Sequence, residues 1–212
     1  MSSGPRADLY VSVDIETDGP IPGPYSMLSF AMVHAGRYDG HTFRRPPADA
    51  QSFYVELKPI STSFDPEAMS VNGMDREALS RSGLEPERAM GEAAAWVREL
   101  AGEDRAVLVA YPVAFDWSFL FWYFIRWCGD SPFGYSSCLD IRTLYQAKAR
   151  TVHDLSGKRS MPERLLPSAP HTHNALDDAR EQGQLFANVF EYVLDVDESR
   201  SRTDALLGVG GE

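Results

Sequence analysis

Five residues in three short segments have the side chains and settings that site chemistry needs. Asp14 and Glu16 stand in Val13-Asp-Ile-Glu-Thr17, at the end of an apolar run. A spacing of two on an extended chain puts both carboxylates on one side of the backbone, where they repel unless a cation sits between them. Taken alone, such a pair is common by chance and identifies nothing. Asp116 is flanked by Phe115, Trp117, Phe119 and Leu120, where an unpaired carboxylate is costly. It also suits the first turn of a helix, where an acid complements the dipole. His173 and Asp178 lie in His173-Asn-Ala-Leu-Asp-Asp178, at a loop–helix junction from which both can reach one place. Asp177 is turned about 100° from Asp178 around a helix and reads as a first-turn surface charge.

The chemistry of this set is that of hard cations. Oxygen-only donors select magnesium or manganese over zinc. Two such ions about 4 Å apart can activate a water and stabilise a leaving oxygen in phosphoryl displacement. A histidine beside them, titrating near neutrality, can take the water's proton. His171 and His173 form His-Thr-His, which raises zinc, but there is no second histidine pair and no C-x-x-C.

The elements that must position these residues follow from periodicity. Leu9, Val11 and Val13 alternate with Tyr10 and Ser12, predicting a strand that delivers Asp14 at its end. Further strands are expected over Met27–His34, Ser52–Leu57 and Ala106–Ala110, with a hairpin turn between the first two of these. Ala106–Ala110 is wholly apolar, as for a strand covered on both faces. Helices are expected over Glu85–Leu100 and Phe115–Cys128, from an Asp140 cap to Arg150, and from an Asn174 cap to about Leu194. Strands first, then helix, strand and helix, imply a mixed α/β sheet with helices on its faces.

Composition sets the frame. The 212 residues, 43% hydrophobic and 24% charged, suit one globular domain, expected over residues 8–195. Residues 1–7 and 197–212 read as flexible termini. The longest apolar stretch, Trp117–Cys128, carries Arg126 and is shorter than the roughly 20 residues of a membrane span. Cys128 and Cys138 read as free thiols in a reducing compartment, and with no export signal a cytoplasmic location is expected. The net charge of −11 excludes a broadly basic coat protein. It leaves room for local phosphate neutralisation, because Arg142–Arg164 holds six basic residues against Asp154 and Glu163. The aromatics of residues 117–127 cover more than one helix face, which suits core packing plus a subunit interface, hence a homodimer.

Taken in order, Asp14-Ile-Glu16-Thr17, Val113-Ala-Phe-Asp116 and His173-x-Ala175-x-x-Asp178 resemble the three motifs of the DEDD exonuclease superfamily in its histidine-containing branch. Val71-Asn-Gly-Met-Asp75 resembles the segment between that family's third strand and first long helix, so the likeness spans about residues 8 to 195. The resemblance implies a ribonuclease H-like fold with a five-stranded mixed sheet, and two Mg²⁺ or Mn²⁺ ions. It implies that Asp14 bridges both ions, that Glu16 and Asp178 complete the first site, that Asp116 serves the second, and that His173 is the general base. It further implies a 3′-terminal nucleotide near Thr17, with Met74 or Leu28 as apolar contacts, and release of nucleoside 5′-monophosphates. Two departures stand out: Tyr111-Pro112 replaces the His-Asn of many relatives, and a Pro/Gly loop, Asp18–Gly23, follows the first motif.

The expectation is therefore a 3′→5′ exonuclease acting on single-stranded nucleic acid with a free 3′ end. RNA is preferred because stand-alone relatives of this size are often RNA-trimming enzymes. A DNA exonuclease of repair or proofreading is the alternative, and a non-catalytic nucleic-acid-binding scaffold is a third reading. A haloacid-dehalogenase-type phosphatase would need D-x-D on the first strand, and Glu16 speaks against it.

Overall fold

The computed structural model describes residues 6–168 and 172–195. Strand β1 (Asp8–Thr17) lies antiparallel to β2 (Met27–Tyr38), as its alternating pattern and the intervening Pro/Gly loop require. The far edge of β2 pairs with β3 (Phe43–Arg44) near one end and with β4 (Ser52–Glu56) near the other. Strand β5 (Arg105–Ala110) runs parallel to β1, and the short β6 (Cys138–Asp140) runs parallel to β5. Among the described residues the sheet is mixed and has five columns, because β3 and β4 share one.

Among the described residues six α-helices accompany it: α1 (Pro66–Asn72), α2 (Arg76–Ser82), α3 (Pro86–Ala101), α4 (Val113–Cys128), α5 (Ile141–Ala149) and α6 (Ala175–Leu194). The caps anticipated from sequence are present: the Asp140 carboxylate accepts from the Thr143 N–H at 2.7 Å, and Asn174 from the Leu176 N–H at 3.1 Å. Asp140 also accepts from the Val113 N–H at 2.9 Å, so one carboxylate anchors the starts of both α4 and α5.

The alternation in β1 sorts residues between two buried layers rather than between core and water. Leu9, Val11 and Val13 join Met90, Val97, Phe119 and Tyr123 beneath α3 and α4. Tyr10 joins Val107, Val109, Ile141, Leu185 and Phe186 beneath α5 and α6. Asp14 and Glu16 share the parity of Tyr10 and therefore point toward the α6 side. Phe119, Tyr123 and Phe124 are fully buried, and Trp117, Trp122 and Trp127 pack half-buried against the same core. The core part of the aromatic expectation is thus met. Among the described residues no helix is long and apolar enough to cross a membrane.

Candidate active site

Because β1 and β5 are parallel, their carboxyl ends open at the same edge of the sheet, where ligands of α/β folds collect. Asp14 and Glu16 arrive there on β1. Asp116 arrives from the first turn of α4, immediately after β5, and is 6% exposed. Asp178 arrives from the first turn of α6 and has no exposed surface. Ligand oxygens of Asp14, Glu16 and Asp178 lie within 4.8 Å of one another. Asp116 lies outside that tight group but near enough to act on Asp14 electrostatically.

The cost of this crowding shows in the acidities. Burial first, then the charges of Asp116, Glu16 and Asp178, push the Asp14 carboxyl far above the ordinary carboxylate range. Burial also raises Asp116, against its own N–H and that of Ile15, which favour the ionised form. Glu16 is pushed up to about 7, by burial and then by Asp178. Oxygen donors packed this closely in a half-dry site suit divalent cations of the magnesium type, whose charge would offset the repulsion. The residues present therefore fit such a group.

His173 stands outside that tight group of oxygens. It is exposed and in left-handed backbone conformation (φ 58°), on the loop that leads into α6. That loop is tied to the cluster through its neighbour: the Thr172 N–H donates to Asp178 Oδ1 at 2.8 Å. His171 lies outside the described residues. Asp177 is exposed and 3.6 Å from Arg180, on the solvent side of α6.

The residues named for the terminal nucleotide have unequal access. Thr17 is nearly buried, and its hydroxyl donates to the Gly19 carbonyl at 2.9 Å while its carbonyl accepts from Asn72 Nδ2 at 2.9 Å. Met74 is half-buried and receives the Ser29 hydroxyl on its sulfur at 3.7 Å. Leu28 is fully buried and offers backing rather than surface.

Two buried polar residues beside the site are not evident from sequence. Gln182, 3% exposed, sits one helical turn beyond Asp178 and faces the same way. Its Nε2 donates to Asp14 Oδ1 at 2.5 Å, and its Oε1 accepts from the Tyr111 N–H at 2.7 Å. The amide orientation is thereby fixed, and Asp14 is joined to the segment that precedes Asp116. The one signal in the sequence is the four-residue step from Asp178. Asp18 is the second. Its buried carboxylate accepts from the Ser26 N–H at 2.5 Å and from Arg76 Nε at 2.8 Å, closing the Pro/Gly loop onto α2. A side chain at Gly19 would meet the Tyr25 ring at 2.1 Å, so glycine is required there.

No protein-family model matches the chain. The 3′–5′ DNA exonuclease Cap18 of Escherichia coli is 39% identical over 180 residues, covering 84% of this chain and 90% of that protein. This chain belongs to the DEDDh 3′–5′ exonuclease family. Solved structures agree in fold. The nuclease domain of 3′hExo, solved with rAMP, aligns with a TM-score of 0.60 at 14% identity over 90% of this chain and 94% of that one. Escherichia coli Exonuclease I, solved with a dA16 oligonucleotide, aligns with a TM-score of 0.56 at 18% identity, over 97% of this chain and 46% of that one. The DEDDh fold is ribonuclease H-like, as the motifs implied, and the chain is a 3′–5′ exonuclease by family.

Proposed function

We propose that this exonuclease removes nucleoside 5′-monophosphates from the 3′ end of single-stranded DNA, using two Mg²⁺ or Mn²⁺ ions held by Asp14, Glu16, Asp116 and Asp178. The observation that carries the reading is the carboxylate cluster, three sets of oxygens within 4.8 Å at the mouth of parallel strands. Bound there, divalent ions supply the charge that activates a water and stabilises the departing 3′ oxygen. The chain's own part is positional. Gln182 holds Asp14, the Thr172 N–H holds Asp178, and the Ile15 N–H favours ionised Asp116. From the exposed loop, His173 accepts the proton of the attacking water. Thr17 and Met74 border the terminal nucleoside, with Leu28 behind them.

DNA is placed before RNA because the 39%-identical relative is named a DNA exonuclease. The sequence alone leaned toward RNA, by analogy with RNA-trimming enzymes. A homodimer through α4 is supported by two apolar side chains left uncovered on it, Phe115 at 40% and Ile125 at 44% exposed.

The test is cleavage of 5′-labelled single-stranded DNA and RNA with Mg²⁺, Mn²⁺ or EDTA, beside Asp14→Asn and His173→Ala. The expected outcome is metal-dependent laddering from the 3′ end, faster on DNA and lost in both variants. Activity that survives Asp14→Asn would sink the metal assignment, and faster cleavage of RNA would reverse the choice of strand.

A further inference from the structure

The chain between α5 and α6 folds into three short 3-10 turns, His153–Leu155, Lys158–Ser160 and Glu163–Leu165. The second of these, with Asp154, Gly157 and Tyr111, lines a groove of about 590 Å³. Tyr111 is built into its wall. The hydroxyl donates to the Ser156 carbonyl at 3.4 Å. The Lys158 ammonium lies 5.2 Å from the centre of the Tyr111 ring. That ammonium also bonds both oxygens of Glu181, at 2.9 and 2.7 Å, and Glu181 is buried.

The basic residues of this segment divide by task. Arg142 bonds Ser156 Oγ at 2.9 Å and the His153 carbonyl at 2.6 Å. Lys148 bonds the Val193 and Asp195 carbonyls at the end of α6. Arg164 lies 5.7 Å from the Tyr192 ring centre, and Arg150 terminates α5 in left-handed conformation. Lys158 is neutralised by Glu181. Arg159 is exposed, lines the groove, and enters none of the ion pairs among the described residues. In a chain of net charge −11, an uncommitted guanidinium on the wall of a groove is a ready phosphate contact.

The groove also has a place relative to the cluster. The Tyr111 N–H bonds Gln182, which bonds Asp14, so one side chain separates groove and carboxylates. Tyr111 follows β5, whereas Thr17 ends β1 and Met74, bonded to Ser29 of β2, lies on the side of β1 away from β5. A strand whose scissile phosphate rests on the carboxylate site has its terminal nucleoside on one side and the rest of its length on the other.

We infer that the groove between Tyr111 and the Gly157–Ser160 turn holds the single strand immediately 5′ of the scissile phosphate, with Arg159 neutralising a phosphate and Tyr111 flanking a base or sugar. This rests on the exonuclease function proposed above. An aromatic wall accepts any base, and a guanidinium reads phosphate without sequence, as a trimming enzyme requires.

The experiment compares wild type, Arg159→Glu and Arg88→Glu. Arg88 pairs with Glu92 on α3 and serves as the charge-matched control. Binding of a fluorescent strand of about a dozen nucleotides, DNA and RNA separately, is followed by anisotropy in EDTA across a salt series. KM and kcat are then measured with metal for that strand and for a dinucleotide. For Arg159→Glu we expect binding weakened about tenfold, a log–log salt slope reduced by about one, and a raised ratio of strand KM to dinucleotide KM. Arg88→Glu is expected to match wild type. Equal affinity and slope for Arg159→Glu and wild type would overturn the inference, as would wild type that binds neither strand at low salt. Because binding is measured with metal chelated, its outcome does not depend on cleavage. Wild type that binds strands yet never cuts them would instead defeat the exonuclease reading.

Discussion

The acidic side chains at the site come from three parts of the fold, β1, α4 and α6, and the consequences differ residue by residue. Asp14 is the most burdened, being half-buried and facing three other carboxylates. Asp14→Asn should remove activity by about a thousandfold or more, through loss of cation binding. The same change should raise the melting temperature in EDTA, because a carboxyl whose ionised form the site disfavours, by burial and by its neighbours' charges, is gone. A calorimetric scan showing lower stability would contradict the account of the raised pKa by burial and carboxylate repulsion. Gln182 is the opposite case, a neutral residue whose two hydrogen bonds join Asp14 to Tyr111. Gln182→Leu leaves the Tyr111 N–H without that partner and should cost about 1–3 kcal/mol in denaturant unfolding. It should also raise the Mg²⁺ concentration needed for half-maximal activity, which a metal titration would show.

At the scale of elements, legibility in the sequence followed length and pattern. Strands β1, β2, β4 and β5 and helices α3 to α6 carry enough periodicity to be read within a few residues of their ends. Strands β3 and β6, of two and three residues, are too short to show alternation and exist because β2 and β5 offer them an edge. Helices α1 and α2 have seven residues each and announce themselves through the Asp65 and Asp75 caps rather than through an apolar face. For the site, Asp14, Glu16 and Asp178 were brought together as their motifs implied, whereas His173 stands on an exposed loop. Gln182 was invisible because a glutamine on a helix ordinarily needs no partner. The Asp18–Arg76 pair was invisible because its partners lie far apart in the chain and a Pro/Gly loop suggests no buried charge. Arg76→Ala would strand that carboxylate, and a loss of about 3 kcal/mol is expected by urea denaturation. An unchanged midpoint would mean that the Ser26 N–H alone satisfies Asp18.

For the whole molecule, the raised pKa values make metal-free stability depend on pH in a definite direction. Glu16 moves from an ordinary 4.5 to about 7, and Asp14 and Asp116 are raised as well. Between about pH 4.5 and about pH 7 the folded chain therefore binds protons at Glu16 that the unfolded chain has released. Stability from this source is fully present below the lower value and is lost as pH rises through the upper one. In EDTA the melting temperature should fall as pH climbs through this window, and added Mg²⁺ or Mn²⁺ should restore it most at the alkaline end. A metal effect larger at the acid end would contradict this account.

The hydrogen bond between Gln182 and Asp14 spans 168 positions of sequence. A ribosome making this protein thus exposes the whole β-sheet before helix α6 can bring Asp178 and Gln182 to it. Until then the nascent chain holds Asp14, Glu16 and Asp116 without the residues that complete and orient them. Nucleolytic activity is therefore expected only after α6 has emerged. A translation-arrested chain lacking α6 should accordingly carry folded segments but cut no strand.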